Sequence, residues 1–116
     1  MKLAIPAMLL VSALAVGPAQ AAPKVPNSIA ALMGPTIGYL MSQSDLCGWN
    51  MTEQMSTTYD AGFKTIGLSA AQQASIWQVA KDRRAALNHL SAGAKAHMKA
   101  ATCTAAAKAR VEANLQ

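Results

Sequence analysis

Two cysteines, Cys47 and Cys103, are the only ones in this chain of 116 residues, and they constrain its fold more than any other feature. A small domain buries little apolar surface, so a covalent link between distant segments stabilises it strongly. The one internal pairing would close a loop of about 57 residues, worth roughly 4 kcal/mol of unfolding free energy. Free thiols, an intermolecular bridge or a metal site are the alternatives. The two histidines are not spaced with these cysteines as zinc-finger ligands are.

The first 21 residues show the three-part pattern of a cleaved signal peptide. A basic start precedes the apolar stretch 3–16, and a polar end follows in which Ala19 and Ala21 are the small residues that signal peptidase requires. The apolar stretch is shorter than the ~20 residues of a spanning helix, which disfavours a retained anchor. We expect cleavage before Ala22 and a periplasmic or secreted, soluble product in which the disulfide forms.

The rest of the chain predicts a single all-α domain, a small bundle of four or five helices stapled by the disulfide. Alanine, the strongest helix former, is abundant, and no segment alternates as a strand does. Residues 22–34 contain prolines and end at a Gly-Pro step, so we expect an extended leader with one short helical turn there. The domain proper is predicted at 35–116 and begins with a helix led by Pro35.

Two further helices are indicated by their apolar spacing. Asn50 is the expected cap of the first, and Gly67 is its expected end. Its predicted buried face consists of Met51, Met55, Tyr59, Phe63 and Ile66.

The second of these helices begins with a capping box from Ser69 to Gln72. If it continued to Leu115 it would be about 69 Å long at ~1.5 Å per residue, so we expect a break near Ser91 to Gly93. Its predicted apolar face comprises Ile76, Trp77, Ala80, Leu87, Leu90, Ala94, Met98 and Ala101, and the last segment should fold back through Cys103, Ala107, Val111 and Leu115.

Positive charge is concentrated in the C-terminal half, where residues 81–110 contain seven basic side chains and one acidic side chain. The candidate basic partner face consists of Lys81, Arg84, Lys95 and Lys99. A solvated helix face is the simplest interpretation, and contact with an anionic envelope surface or an acidic partner is the functional one. Nucleic acid is disfavoured because the surface lacks interleaved aromatic residues and the protein is expected outside the cytoplasm.

No catalytic, cofactor-binding or metal-binding residue is predicted. The acidic residues are scattered singly and there is no glycine-rich phosphate loop, so we expect a protein that is not an enzyme. His89 and His97 are eight residues apart and are interpreted as surface histidines rather than ligands. Met51 and Met55 are one turn apart, which suits copper, but core packing is the favoured interpretation.

The segment Leu68-Ser69-Ala70-Ala71-Gln72, with the helix that follows it, resembles the Leu-Thr-x-x-Gln motif of the Spy/CpxP family. Ser69 stands in place of the usual threonine, and the chain contains one copy of the motif. Members of that family are exported helical proteins that act as ATP-independent chaperones or as sensors of envelope stress and metals. The resemblance implies a helical surface, with Leu68, Ser69 and Gln72 in the motif, that holds partly unfolded proteins.

Taken together, these features predict a small exported, non-enzymatic binding protein. We expect it to be chaperone-like or related to envelope stress, and to hold protein clients on apolar and basic helix faces. Two alternatives stay open. One is an accessory subunit of an envelope complex that docks through alanine-rich faces, and the other is a periplasmic copper- or zinc-tolerance protein.

Overall fold

A computed structural model describes residues 24–116, and the predicted signal peptide, residues 1–21, lies outside them. The described residues form five helices and no strand, which confirms the predicted all-α bundle. The helices are α1 (Asn27–Cys47), α2 (Thr52–Ile66), α3 (Ala70–Asn88), α4 (Ala92–Thr102) and α5 (Ala105–Asn114). Within this part of the chain, no helix combines the length and the hydropathy that a membrane crossing requires.

Helix α1 continues through Pro35 without interruption, so residues 27–34 form one helix with the residues after Pro35 instead of the expected short turn that ends at Gly34-Pro35. Proline removes one backbone hydrogen bond and disfavours the helical turn before it. Here, however, Ala30 on one side and Ile37 on the other are both buried in the core. Burial of this continuous face outweighs the local cost of the proline, as tertiary packing commonly overrides propensity.

Helices α1 and α3 lie side by side and run parallel. Near their beginnings, the Gln72 side-chain amide donates hydrogen bonds to the Val25 carbonyl at 2.8 Å and to Asn27 Oδ1 at 2.9 Å. Near their ends, Arg84 of α3 bonds to Asp45 of α1. Two helices of one chain can be parallel neighbours only if the chain returns between them, and α2 is the segment that returns.

A ridge of small residues on α1 brings the two parallel helices into close contact. At Gly38, a Cβ atom would lie only 2.6 Å from the Ala80 carbonyl oxygen, and at Gly34 it would lie 2.7 Å from Val79 Cβ. Side chains four residues apart form such ridges on a helix surface. The small ridge of α1 consists of Ala30, Gly34, Gly38 and Ser42, all buried.

Helix α2 differs from the prediction at both ends. Its cap residue is Met51 rather than Asn50, because Asn50 adopts a left-handed backbone (φ 57°) in the preceding turn. Ile66 is 45% exposed, since the last turn of the helix carries it away from the core just before Gly67. Gly67 itself ends the helix at φ 82°, as predicted. The buried side chains at this helix are Met51, Met55 and Phe63.

The capping box of α3 is confirmed. The Gln72 N–H donates to Ser69 Oγ at 3.0 Å, and the Ser69 N–H donates to Gln72 Oε1 at 2.9 Å. The predicted break near residue 91 is also confirmed, because α3 ends before His89 and Ser91 caps α4. A second break, at Cys103, was not predicted: Thr104 caps a separate last helix there.

Candidate functional site

The disulfide lies where α1 and α4 end. Cys47 is the last residue of α1 and Cys103 directly follows α4, with their Cα atoms 5.4 Å apart across a sequence separation of 56. This confirms the predicted pairing. The bridge matters for α4 in particular, because none of the residues of that helix, all of them described, is fully buried.

A polar cluster surrounds this end of the bundle, with Asp45 at its centre. Arg84 donates from Nε to Asp45 Oδ2 at 2.7 Å and from Nη2 to Oδ1 at 2.8 Å, and the Asn88 amide donates to Asp45 Oδ2 at 2.9 Å. The hydrogen bonds from Arg84 hold the pKa of the Asp45 carboxyl below its ordinary value, and those to Asp45 raise the pKa of Arg84. The pair is partly exposed, so it orients the helices more than it stabilises them.

Three consecutive polar residues of α1, 42 to 44, are buried beside this cluster, and each has a partner. Ser42 Oγ donates to Asn88 Oδ1 at 3.0 Å. The Gln43 amide donates to the Thr102 carbonyl at 3.0 Å, which attaches the end of α4 to α1. Ser44 Oγ accepts the Met51 N–H at 2.9 Å. Because buried polar groups are costly unless paired, these bonds specify how the start of α2 and the ends of α3 and α4 dock on α1.

The residues of the predicted basic face have different environments. Arg84 forms a salt bridge with Asp45, whereas Lys81 and Lys99 are exposed. Lys95 is half-buried at a cleft of about 290 Å³ between α1, α3 and α4. The other residues that line this cleft are Ser42, Asp45, Leu46, Leu87, Asn88 and Met98. The break at residue 91 places Lys81 and Lys99 on separate helices, so the four cations do not form one continuous helix face.

The three motif residues have structural roles. Leu68 is buried, and Ser69 and Gln72 form the cap of α3. Gln72 is itself buried and its amide also fastens the start of α1. Two of the three motif residues are therefore buried and organise the bundle, and Ser69 is exposed.

The candidate metal ligands are not gathered into a site. Within residues 24–116, no group of three or more His, Cys, Asp or Glu side chains is placed to hold a metal ion. His97 is exposed, and His89 Nδ1 lies 2.7 Å from the Ala85 carbonyl oxygen at the end of α3. Met51 and Met55 are buried in the hydrophobic core.

Large apolar side chains that reach solvent were missed by the sequence analysis. Ile29 and Leu32, one turn apart on α1, are 49% and 65% exposed, and Val79 on α3 is 40% exposed. The signal of Ile29 and Leu32 was hidden by the expected break at Pro35, which made residues 29–33 a short turn instead of part of a long amphipathic helix. Ile29 and Leu32 provide an apolar surface on α1 that is suited to binding rather than to covalent chemistry.

Comparison of the chain with protein-family models, with curated proteins and with solved structures found no match.

Proposed function

We propose that this protein is an exported, non-enzymatic binding protein, chaperone-like or related to envelope stress, that holds partly unfolded clients. The observation that carries the proposal is the exposure of Leu32, at 65%, with Ile29 one turn away on the same helix. Apolar side chains grouped on a surface are the usual contact points for partner proteins. The predicted signal peptide supports a periplasmic or secreted location, and the disulfide is compatible with it.

Exposed basic charge on the other helices supports the same proposal. Lys81, Arg83, Lys99, Lys108 and Arg110 are exposed cations of α3, α4 and α5. Unfolded clients associate faster with a surface of opposite charge and are retained by apolar contacts. We therefore expect acidic or neutral clients to bind better than basic ones, and added salt to slow their capture.

An aggregation assay tests the proposal. A chemically denatured client is diluted into buffer with an equimolar amount of the disulfide-bonded protein, and light scattering is followed. We expect suppression of scattering that Ile29→Ser plus Leu32→Ser removes. Ala31→Ser is the matched control, because Ala31 is exposed between the two positions and contributes no large apolar surface. Absence of suppression by the unaltered protein would contradict the proposal.

A second candidate is an accessory subunit of an envelope complex. The observation that favours it is a row of exposed alanines at steps of four on α4, namely Ala92, Ala96 and Ala100. Small residues in such a row allow another helix to approach closely. Co-purification of one partner at fixed stoichiometry, lost on Ala96→Glu but retained with Leu32→Ser, would favour this function over the chaperone.

A further inference from the structure

An open furrow between α2 and α3 is separate from the apolar surface of α1 and from the polar cluster at the disulfide. It is lined by Ser56, Thr57, Asp60, Ala61, Lys64 and Trp77. The furrow exists because α2 meets α3 through large side chains: the rings of Phe63 and Trp77 pack at 5.4 Å between centroids, with their planes tilted by 58°. The helix backbones are thereby held apart at this point, and the half-buried indole of Trp77 reaches the furrow.

We propose that this furrow binds the pyranose ring of a carbohydrate. An indole offers a flat apolar face against which the C–H groups of a sugar ring pack, together with one N–H donor at its edge. The hydroxyls of Ser56 and Thr57 can donate and accept, the Asp60 carboxylate accepts, and the Lys64 ammonium donates. One aromatic platform with several polar groups around it is the kind of lining that orients a small polyhydroxy ligand.

The charges of the furrow favour a neutral ligand over a cation. An indole beside a carboxylate would also suit an ammonium group through the ring face. Here, however, Asp60 already forms an ion pair with Lys64 one turn along α2, so the furrow has no net charge. The side chains of Lys64 and Asp60 are 66% and 44% exposed, and a pair that is exposed to this extent is weak enough for ligand hydroxyls to share its atoms.

The openness of the furrow sets the expected affinity and form of the ligand. A site that covers one side of a ring buries little area, so we expect dissociation constants of roughly 1–10 mM for a disaccharide. Such affinity is useful when the sugar belongs to a polymer, because several weak contacts then act together.

The test follows the indole N–H resonances of the disulfide-bonded protein by NMR during titration with maltose, cellobiose and diacetylchitobiose up to ~50 mM, well above the expected dissociation constant. We expect a saturable shift of the Trp77 resonance with at least one disaccharide. Trp49→Phe leaves this binding unchanged, because Trp49 does not line the furrow. Asp60→Asn and Ser56→Ala each weaken binding several-fold without altering the Phe63–Trp77 contact, so the proposal stays testable if Trp77→Leu fails to fold.

Two outcomes would overturn the proposal. One is a Trp77 resonance that no disaccharide moves. The other is a resonance that moves with tetramethylammonium but not with sugars, which would make the furrow a cation site. The apolar residues of the proposed client surface are not in the furrow, so Ile29→Ser plus Leu32→Ser should leave sugar binding intact.

Discussion

Arg84 donates two hydrogen bonds, of 2.7 Å and 2.8 Å, to the two carboxylate oxygens of Asp45 across 39 residues of sequence. This two-point geometry fixes both distance and orientation, so it aligns α3 on α1 near the disulfide. It also compensates for the acidic residue in the last turn of α1, a position where negative charge is unfavourable.

Asp45→Asn should lower the free energy of unfolding by about 1 kcal/mol at pH 7, since the pair is partly exposed and screened. The pKa of Asp45 is below its ordinary value of 3.8, so its contribution is present above pH 3.8 and is lost as pH falls through the lower folded-state pKa. Urea denaturation at neutral and acidic pH should therefore show a difference that disappears in acid. Asp82→Asn is the control, with a change within about 0.5 kcal/mol. An equal loss at both pH values would contradict this account.

Gly38→Ala should destabilise the protein by about 2 kcal/mol or more. The added Cβ would lie 2.6 Å from the Ala80 carbonyl oxygen and 2.7 Å from Arg83 Cβ, so α1 and α3 would have to separate. Gly62→Ala is the matched control: it also lies within a helix, but its Cβ would meet no atom within 4 Å. For Gly62→Ala we expect the free energy of unfolding to rise by roughly 0.5–1 kcal/mol, because alanine has a higher helix propensity than glycine. Thermal denaturation of both variants checks the pair, and similar effects at the two glycines would refute the close helix contact.

Replacement of both cysteines, Cys47→Ser with Cys103→Ser, should lower the free energy of unfolding by about 4 kcal/mol, because the bridge closes a loop across 56 residues. The loss should be largest in α4, which has no fully buried side chain and is attached to α1 by the Gln43–Thr102 hydrogen bond. Hydrogen exchange should show α4 unprotected in the variant while α1 and α3 keep most of their protection. A uniform loss over all helices would show that the bridge stabilises the bundle as one unit.

Gln72→Ala should lower stability by about 2 kcal/mol, more than the ~1 kcal/mol expected for Ser69→Ala. The reason is that the Gln72 side chain both completes the capping box and bonds to Val25 and Asn27 at the start of α1. Ser75→Ala, at an exposed position of the same helix, should be neutral or slightly stabilising. If Gln72→Ala and Ser69→Ala lower the free energy of unfolding equally, the contacts of Gln72 to α1 contribute nothing measurable to stability.

Features with a local cause could be predicted from the sequence. The cap at Ser69, the end of α2 at Gly67 and the break near Ser91 each depend on a few adjacent residues, and all three are present. The disulfide was also predictable, because two cysteines allow one internal pairing.

Features that depend on distant residues were not predictable. The continuity of α1 through Pro35 results from packing on α3, and local rules alone favour a break. Likewise, the sequence assigned Arg84 and Lys81 to the candidate basic partner face, whereas the Arg84 guanidinium is paired with the Asp45 carboxylate. The exposed residues Ile29 and Leu32 were not predicted for the same reason as the continuity of α1. Leu32 belongs to a long helix only because that helix continues through Pro35.

The parallel arrangement of α1 and α3 has an electrostatic consequence. Two parallel helices place the negative ends of their macrodipoles at the same end of the bundle, where each disfavours the other. The last turns of α1 and α3, both within the described part of the chain, carry no basic side chain of their own. Lys95 of α4 lies in the cleft beside Leu46 and Asn88, at the ends of both helices. A positive charge at this place opposes both macrodipoles, so the fold accounts for one of the cations of the C-terminal half.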